Sequence, residues 1–112
     1  VTGKKREANN VHQFLAEMQN HIGKDLAVSG EYLAKVLNTN MRNVRHMTDE
    51  AIKQGIAVCS HPAHGYWIAL NAEELEYTCQ FHRSRALHEL QKEARLRRMP
   101  LPDLLGQLHL KT

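Results

Sequence analysis

The chain is short of the residues that staple small domains, cross membranes or do covalent chemistry. Among its 112 residues are two cysteines, Cys59 and Cys79. A secreted framework held by disulfides needs more, so two buried thiols are expected. No apolar run approaches the roughly 20 residues of a membrane-spanning helix. The basic start, Val1 to Arg6, leads into no apolar signal core. No serine or cysteine stands in a nucleophile motif, and no glycine-rich phosphate loop occurs. The acidic pair Glu73–Glu74 falls at a helix start, where it favours the dipole. There is no internal repeat and no low-complexity tract. These absences argue against a disulfide scaffold, a membrane protein and an enzyme. They assign no catalytic residue, no metal and no cofactor. The expected setting is cytoplasmic, for the chain itself or for a longer protein of which it is a fragment.

What is present fits one small domain with a modest core. Apolar residues make up 42% and charged residues 24%, ordinary values for a globular protein. The net charge is +3 and the pI about 9.0. That balance permits a nucleic-acid partner without requiring one.

Apolar periodicity predicts a first helix over residues 8–22, with Val11, Phe14, Leu15, Met18 and Ile22 on one face. Gly23 stops it, and a linker, "GKDLAV", follows. Ser29 caps a short second helix whose buried side carries Leu33 and Leu37. Asn38, Thr39 and Asn40 break it. A third helix runs from Met41 to about Gln54, capped by Asn40 and ended by Gly55. Its inner stripe is Val44, Met47, Thr48 and Ala51. Residues 56–60 and 66–70 read as two strands around the turn His61–Gly65. Asn71 caps a long helix to Arg98, with Glu74 in the capping-box position. Met99–Pro100 stops that helix. The expected organisation is a basic arm over 1–7, a domain over 8–71, a long helix over 72–98 and a flexible or docking tail over 99–112. The fold class is mainly α with a small β-hairpin.

Helix, short helix, three-residue turn, helix and hairpin follow one another in the order of a winged helix-turn-helix. Residues 10–71 resemble the winged domain of the biotin repressor and of similar phage and bacterial regulators. The matching residues are Leu37, Asn38, Asn40, Val44, Gly55, Gly65 and Tyr66. Asn38 stands where that family commonly has glycine, and Asn40 where it has serine. Asparagine serves both places, because it tolerates left-handed backbone and caps helices. Thr48 and Ala51 stand where larger apolar residues are usual. The resemblance implies a double-stranded DNA-binding protein, a transcription regulator or replication factor of a phage or mobile element. The third helix would enter the major groove and the hairpin would be the wing.

The residues support that chemistry independently. With Val44 inward, helical spacing turns Arg42, His46, Asp49 and Lys53 outward, with Asn43 and Arg45 on the flanks. Arginine can grip a guanine edge bidentately and asparagine an adenine edge. Asn40, Met41, Arg42, Asn43, Arg45, His46 and Lys53 are therefore the candidate DNA contacts, joined by His61 and His64 at the wing tip. Tyr32, Lys35 and Thr39 could add phosphate contacts.

Three further readings compete for residues outside that helix. Cys59, His61, His64, Cys79 and His82 have the residue types of a zinc site. Strand alternation speaks against it, since either Val58 or Cys59 must face the core. So do the apolar stripe due on the long helix and the scatter of eight histidines through the chain. On the long helix, Leu75, Cys79, His82, Ala86 and Leu90 track one face, and Tyr77, Phe81, Leu87 and Ala94 widen it. That surplus predicts a homodimer or a held partner. In the tail, Gln107, Leu108 and Leu110 resemble the Gln-Leu-x-Leu peptides by which bacterial replication proteins dock on the sliding clamp. The alternative function is thus a protein-interaction adaptor. A tail that folds back through Leu101, Leu104 and Leu105 is the simpler expectation.

Overall fold

A computed structural model describes residues 11–110. The basic arm over 1–7 and the start of the first predicted helix lie outside the described residues. Residues 11–18 form helix α1. A 3-10 helix, Lys24–Leu26, is followed by α2 (Gly30–Val36) and α3 (Met41–Lys53). Strands β1 (Val58–His61) and β2 (Gly65–Ile68) come next. Helices α4 (Ala72–Arg97) and α5 (Leu101–Gln107) complete the order. The protein is mainly helical with one two-stranded antiparallel hairpin, as the sequence predicts. It divides into two compact units, Val1–Thr78 and Cys79–Thr112, joined within α4.

The core of the first unit is built by the predicted stripes. Phe14, Met18, Leu33, Val44, Met47, Ala51 and Val58 are buried together, flanked by Leu15, Leu37, Tyr66 and Ile68. Each large apolar side chain among them contributes about 1.5–3 kcal/mol by leaving water. Thr48 is buried as well. Its hydroxyl donates to Val44 O at 2.9 Å, so the polar atom is satisfied inside the helix.

α1 ends earlier than its apolar pattern suggests, because β2 captures the chain. Ile68 N–H donates to His21 O and Gly23 N–H to Ile68 O, each at 2.8 Å. The last turn, through Gln19, Asn20 and His21, tightens to three-residue hydrogen bonds. The predicted linker is likewise structured. Beyond the 3-10 helix, Val28 pairs with Tyr66 by two backbone hydrogen bonds of 2.7 and 3.0 Å. His21 Nδ1 meets Leu26 O at 2.9 Å and His21 Nε2 meets Glu17 at 2.8 Å, tying that segment to α1.

The hairpin pairs Val58 with Ile68, Cys59 with Trp67, Ser60 with Tyr66 and His61 with Gly65. Side chains alternate between its faces. Val58, Tyr66 and Ile68 lie on the helical core. Cys59 and Trp67 are also fully buried, although they point the other way. Val58 is thus the one of the two that faces the helical core, and Cys59 is buried on the opposite face. The start of α4 covers the second face, where Cys59 Sγ lies 4.0 Å from Glu74 O.

Helices α2, α3, α4 and α5 end in the same way. A residue with positive φ follows each: Asn38 (54°), Gly55 (87°), Arg98 (56°) and His109 (58°). The paired closing hydrogen bonds of a Schellman motif accompany it. For α2 they run from Asn38 N–H to Lys35 O and from Thr39 N–H to Ala34 O, at 3.2 and 2.8 Å. The asparagine expected in place of glycine thus adopts glycine's conformation.

In the second unit the tail departs from a flexible segment. Pro100 precedes α5, and Leu104 and Leu105 are buried, as a folded tail requires. The long helix also departs from its predicted stripe. Leu75, Cys79, His82 and Ala86 are exposed, whereas Thr78 and Ala94 are buried and Leu87 and Leu90 half-buried. A helix apolar at so many positions has no unique face in its sequence, and packing chooses one.

Candidate nucleic-acid interface

The start of α3 is set by its cap. Asn40 Oδ1 accepts the Asn43 N–H at 2.9 Å and fixes the first turn. Asn43 Nδ2 donates to Thr39 Oγ1 at 2.9 Å, which ties the helix back to the turn after α2. These two asparagines are engaged in holding the turn. Arg42, Arg45 and His46 are exposed around them. Thr39, Asn40, Arg42, Asn43 and His46 line one open hollow of about 400 Å³. The outward side of α3 is therefore polar from its first turn, and its buried side is Val44, Met47, Thr48 and Ala51.

Two predicted contacts have other work. Met41 is half-buried, and its side chain fills the space where a Gly30 side chain would stand. It packs α3 on α2. Lys53 lies at the far end of α3 and pairs with Glu50 at 3.3 Å. With the lysine 73% exposed, that pair is worth little and opens readily.

Tyr66 was not among the expected contacts, yet it joins the hairpin to this face. A Cβ on Gly30 would meet its ring at 3.1 Å. Burial pushes its hydroxyl above the ordinary value of 10.0; Arg45 opposes that shift, while Asp49 and Glu31 reinforce it. The phenol thus stays protonated, between the charges of α3 and α2. Its inward place was readable from Gly65–Tyr66 opening a strand, but its neighbours depend on folding.

The hairpin tip is arranged differently from a pair of free histidines. His61 accepts the Ala63 N–H on Nδ1 at 3.0 Å. Its ring centroid lies 5.2 Å from His64 and 5.3 Å from Tyr77. Lys24 Nζ sits 4.6 Å from the Tyr77 ring centroid. His64 is exposed and His61 half-buried, so both can reach a partner from this cluster. Lys24 and Tyr77 come from distant segments, and no local pattern announces them.

Glu74 anchors the base of the hairpin. Its carboxylate accepts Leu70 N–H at 2.9 Å and Lys24 N–H at 3.0 Å. These two donors hold its pKa below the ordinary 4.5. Trp67 adds a smaller effect, although its Nε1 has no acceptor in hydrogen-bond geometry among the described residues. The expected capping box is half made. Asn71 Oδ1 accepts Glu74 N–H at 2.9 Å, but the Glu74 side chain serves Leu70 and Lys24.

The cysteines and histidines do not converge. Cys59 Sγ is buried and points at Ala57 O and Glu74 O as a thiol donor; Cys79 is exposed. Among the described residues, no group of three or more His, Cys, Asp or Glu side chains is placed to hold a metal ion. Nor is any helix among them long and apolar enough to cross a membrane. Gln107 lies in α5, and Leu108 and Leu110 are exposed at its end. Comparison with protein-family models, curated proteins and solved structures found no match.

Proposed function

We propose that the protein binds double-stranded DNA through α3, with the hairpin as a wing against the backbone. One observation carries this reading. A capped helix presents Arg42, Arg45 and His46 outward from its first two turns, on a base fixed by buried Val44, Met47 and Ala51. Such a helix offers hydrogen-bond donors to base edges where recognition helices do, near the N-terminus. Asn40, Asn43 and Thr39 set its approach, and His61 and His64 supply phosphate contacts. The role as a transcription regulator or replication factor of a phage or mobile element, acting in the cytoplasm, rests on the resemblance to winged regulators. Dimerisation along exposed parts of α4 belongs to the same reading.

The adaptor reading draws less from the geometry. Leu110 N–H donates to Leu105 O at 2.8 Å, so Gln107–Leu110 is wound into a helix end. Docking through it as a linear peptide requires that turn to open.

The test is Arg42→Ala. If Arg42 contacts a base, specific binding weakens by about 1–3 kcal/mol and the preference at one position relaxes. Unchanged affinity and footprint would reject the assigned face.

A further inference from the structure

The charge is divided unevenly along the chain. Residues 1–78, which carry the basic arm and α3, hold eight Lys/Arg against nine Asp/Glu. Residues 79–112 hold seven against three. A polyanion is therefore drawn mainly to the second unit, whichever surface reads its sequence.

Within that unit the basic residues are ordered. Arg85, His88, Lys92 and Arg95 recur at spacings of three, four and three, which places them on one face of α4. All four are exposed. From Arg85 to Arg95 the stripe runs about 15 Å along the axis, at about 1.5 Å per residue. No acid lies in the stripe. Glu89 flanks it and reaches Lys92 at 3.2 Å, but the lysine and glutamate side chains are 58% and 71% exposed. A phosphate can replace so weak a pair at small cost. Glu93 is turned to Arg97, at 2.8 Å, beside the stripe. Arg85 rests on the Phe81 ring, its Cζ 5.6 Å from the centroid, which steadies the guanidinium.

We propose that this stripe is a second, sequence-independent contact for the phosphate backbone of duplex DNA. The proposal rests on the DNA-binding reading of α3 for its choice of polyanion. A membrane surface fits less well, because no continuous apolar face adjoins the stripe: Ala94 is buried, Leu87 and Leu90 are half-buried, and Leu96 alone of the three leucines there is exposed. The two helices then divide the work. α3 distinguishes sequences, and α4 supplies affinity that depends on salt.

The experiment titrates the full chain against a random-sequence duplex and against a selected site, over a range of salt. Arg85→Gln, Lys92→Gln and Arg95→Gln are combined in one variant. The slope of log K against log salt should fall by about 2–3, and low-salt affinity for random duplex at least roughly tenfold. A second variant, Arg85→Lys with Arg95→Lys, keeps the charge and should keep the wild-type slope; this separates lost charge from lost folding. A triple variant with wild-type affinity and slope overturns the stripe, while site preference in both proteins leaves α3 intact. Salt-dependent binding without any site preference, weakened in the triple variant but unchanged by Arg42→Ala, supports the stripe and rejects the role of α3. Binding to an acidic peptide but not to duplex overturns the stripe's assignment to DNA.

Discussion

Replacing Gly65 by alanine should damage the hairpin more than the same change at Gly55 damages the end of α3. Gly65 has φ of 92° and pairs with His61 at the turn. A Cβ there would stand 2.2 Å from Val28 O and 2.7 Å from Val28 C. Both are backbone atoms, so no side chain can swing aside. The left-handed backbone alone costs an L-residue about 1–2 kcal/mol. Relieving the overlap means parting Val28 from β2. The bonds at risk are Tyr66 N–H to Val28 O and Val28 N–H to Tyr66 O, at 2.7 and 3.0 Å. Each contributes about 0.5–1.5 kcal/mol net. Together these terms predict a loss of roughly 2–5 kcal/mol. Gly55→Ala isolates the conformational part. Its φ is 87°, and nothing lies within 4 Å of an added Cβ. It should cost only about 1–2 kcal/mol. Urea unfolding followed by the fluorescence of Trp67, the single tryptophan and fully buried, reports on this unit. A Gly65→Ala loss no larger than that of Gly55→Ala would refute the claim that Val28 pins the hairpin.

Other expectations follow from the same structure. Gly106→Ala, inside α5 with open space around the new methyl, should stabilise the second unit by up to about 1 kcal/mol, read as a raised midpoint in far-ultraviolet circular dichroism. Asn40→Ala removes the cap of α3 and should cost about 0.5–2 kcal/mol, measured by urea unfolding, whereas Asn40→Asp, which keeps a capping oxygen, should retain most of the wild-type stability. Glu74, with its folded pKa depressed, contributes stability that is complete above its unfolded value near 4.5 and is lost as pH falls through the lower folded value. Glu74→Gln should therefore flatten the acid limb of stability against pH; parallel limbs in the two proteins would disprove the role of its carboxylate.

Local chemistry made much of the first unit readable. Ser29, Asn40 and Asn71 each accept the backbone N–H expected of a cap. Val44, Met47, Thr48 and Ala51 face inward because their spacing leaves no other face apolar. What escaped reading depends on partners far along the chain. Cys59 is buried because α4 returns over the hairpin. Ile22 leaves α1 because β2 offers it a backbone partner. Tyr77 meets the hairpin histidines, and Lys24 meets Tyr77, only once those segments are folded together. On α3, spacing gave the outward direction of Arg42, Arg45 and His46. It could not show that Asn43 spends its amide on Thr39, or that Met41 packs against Gly30. Alternation and periodicity describe one element at a time, and these contacts join two.

If α3 binds DNA as proposed, it reads sequence. The most direct measurement is selection of bound sites from a pool of random duplexes, run in parallel with wild type and Arg42→Ala. Wild type should enrich a motif, and the variant should enrich the same motif with one position relaxed. Recovery of no motif by the wild type, or of an identical motif by both proteins, would contradict it.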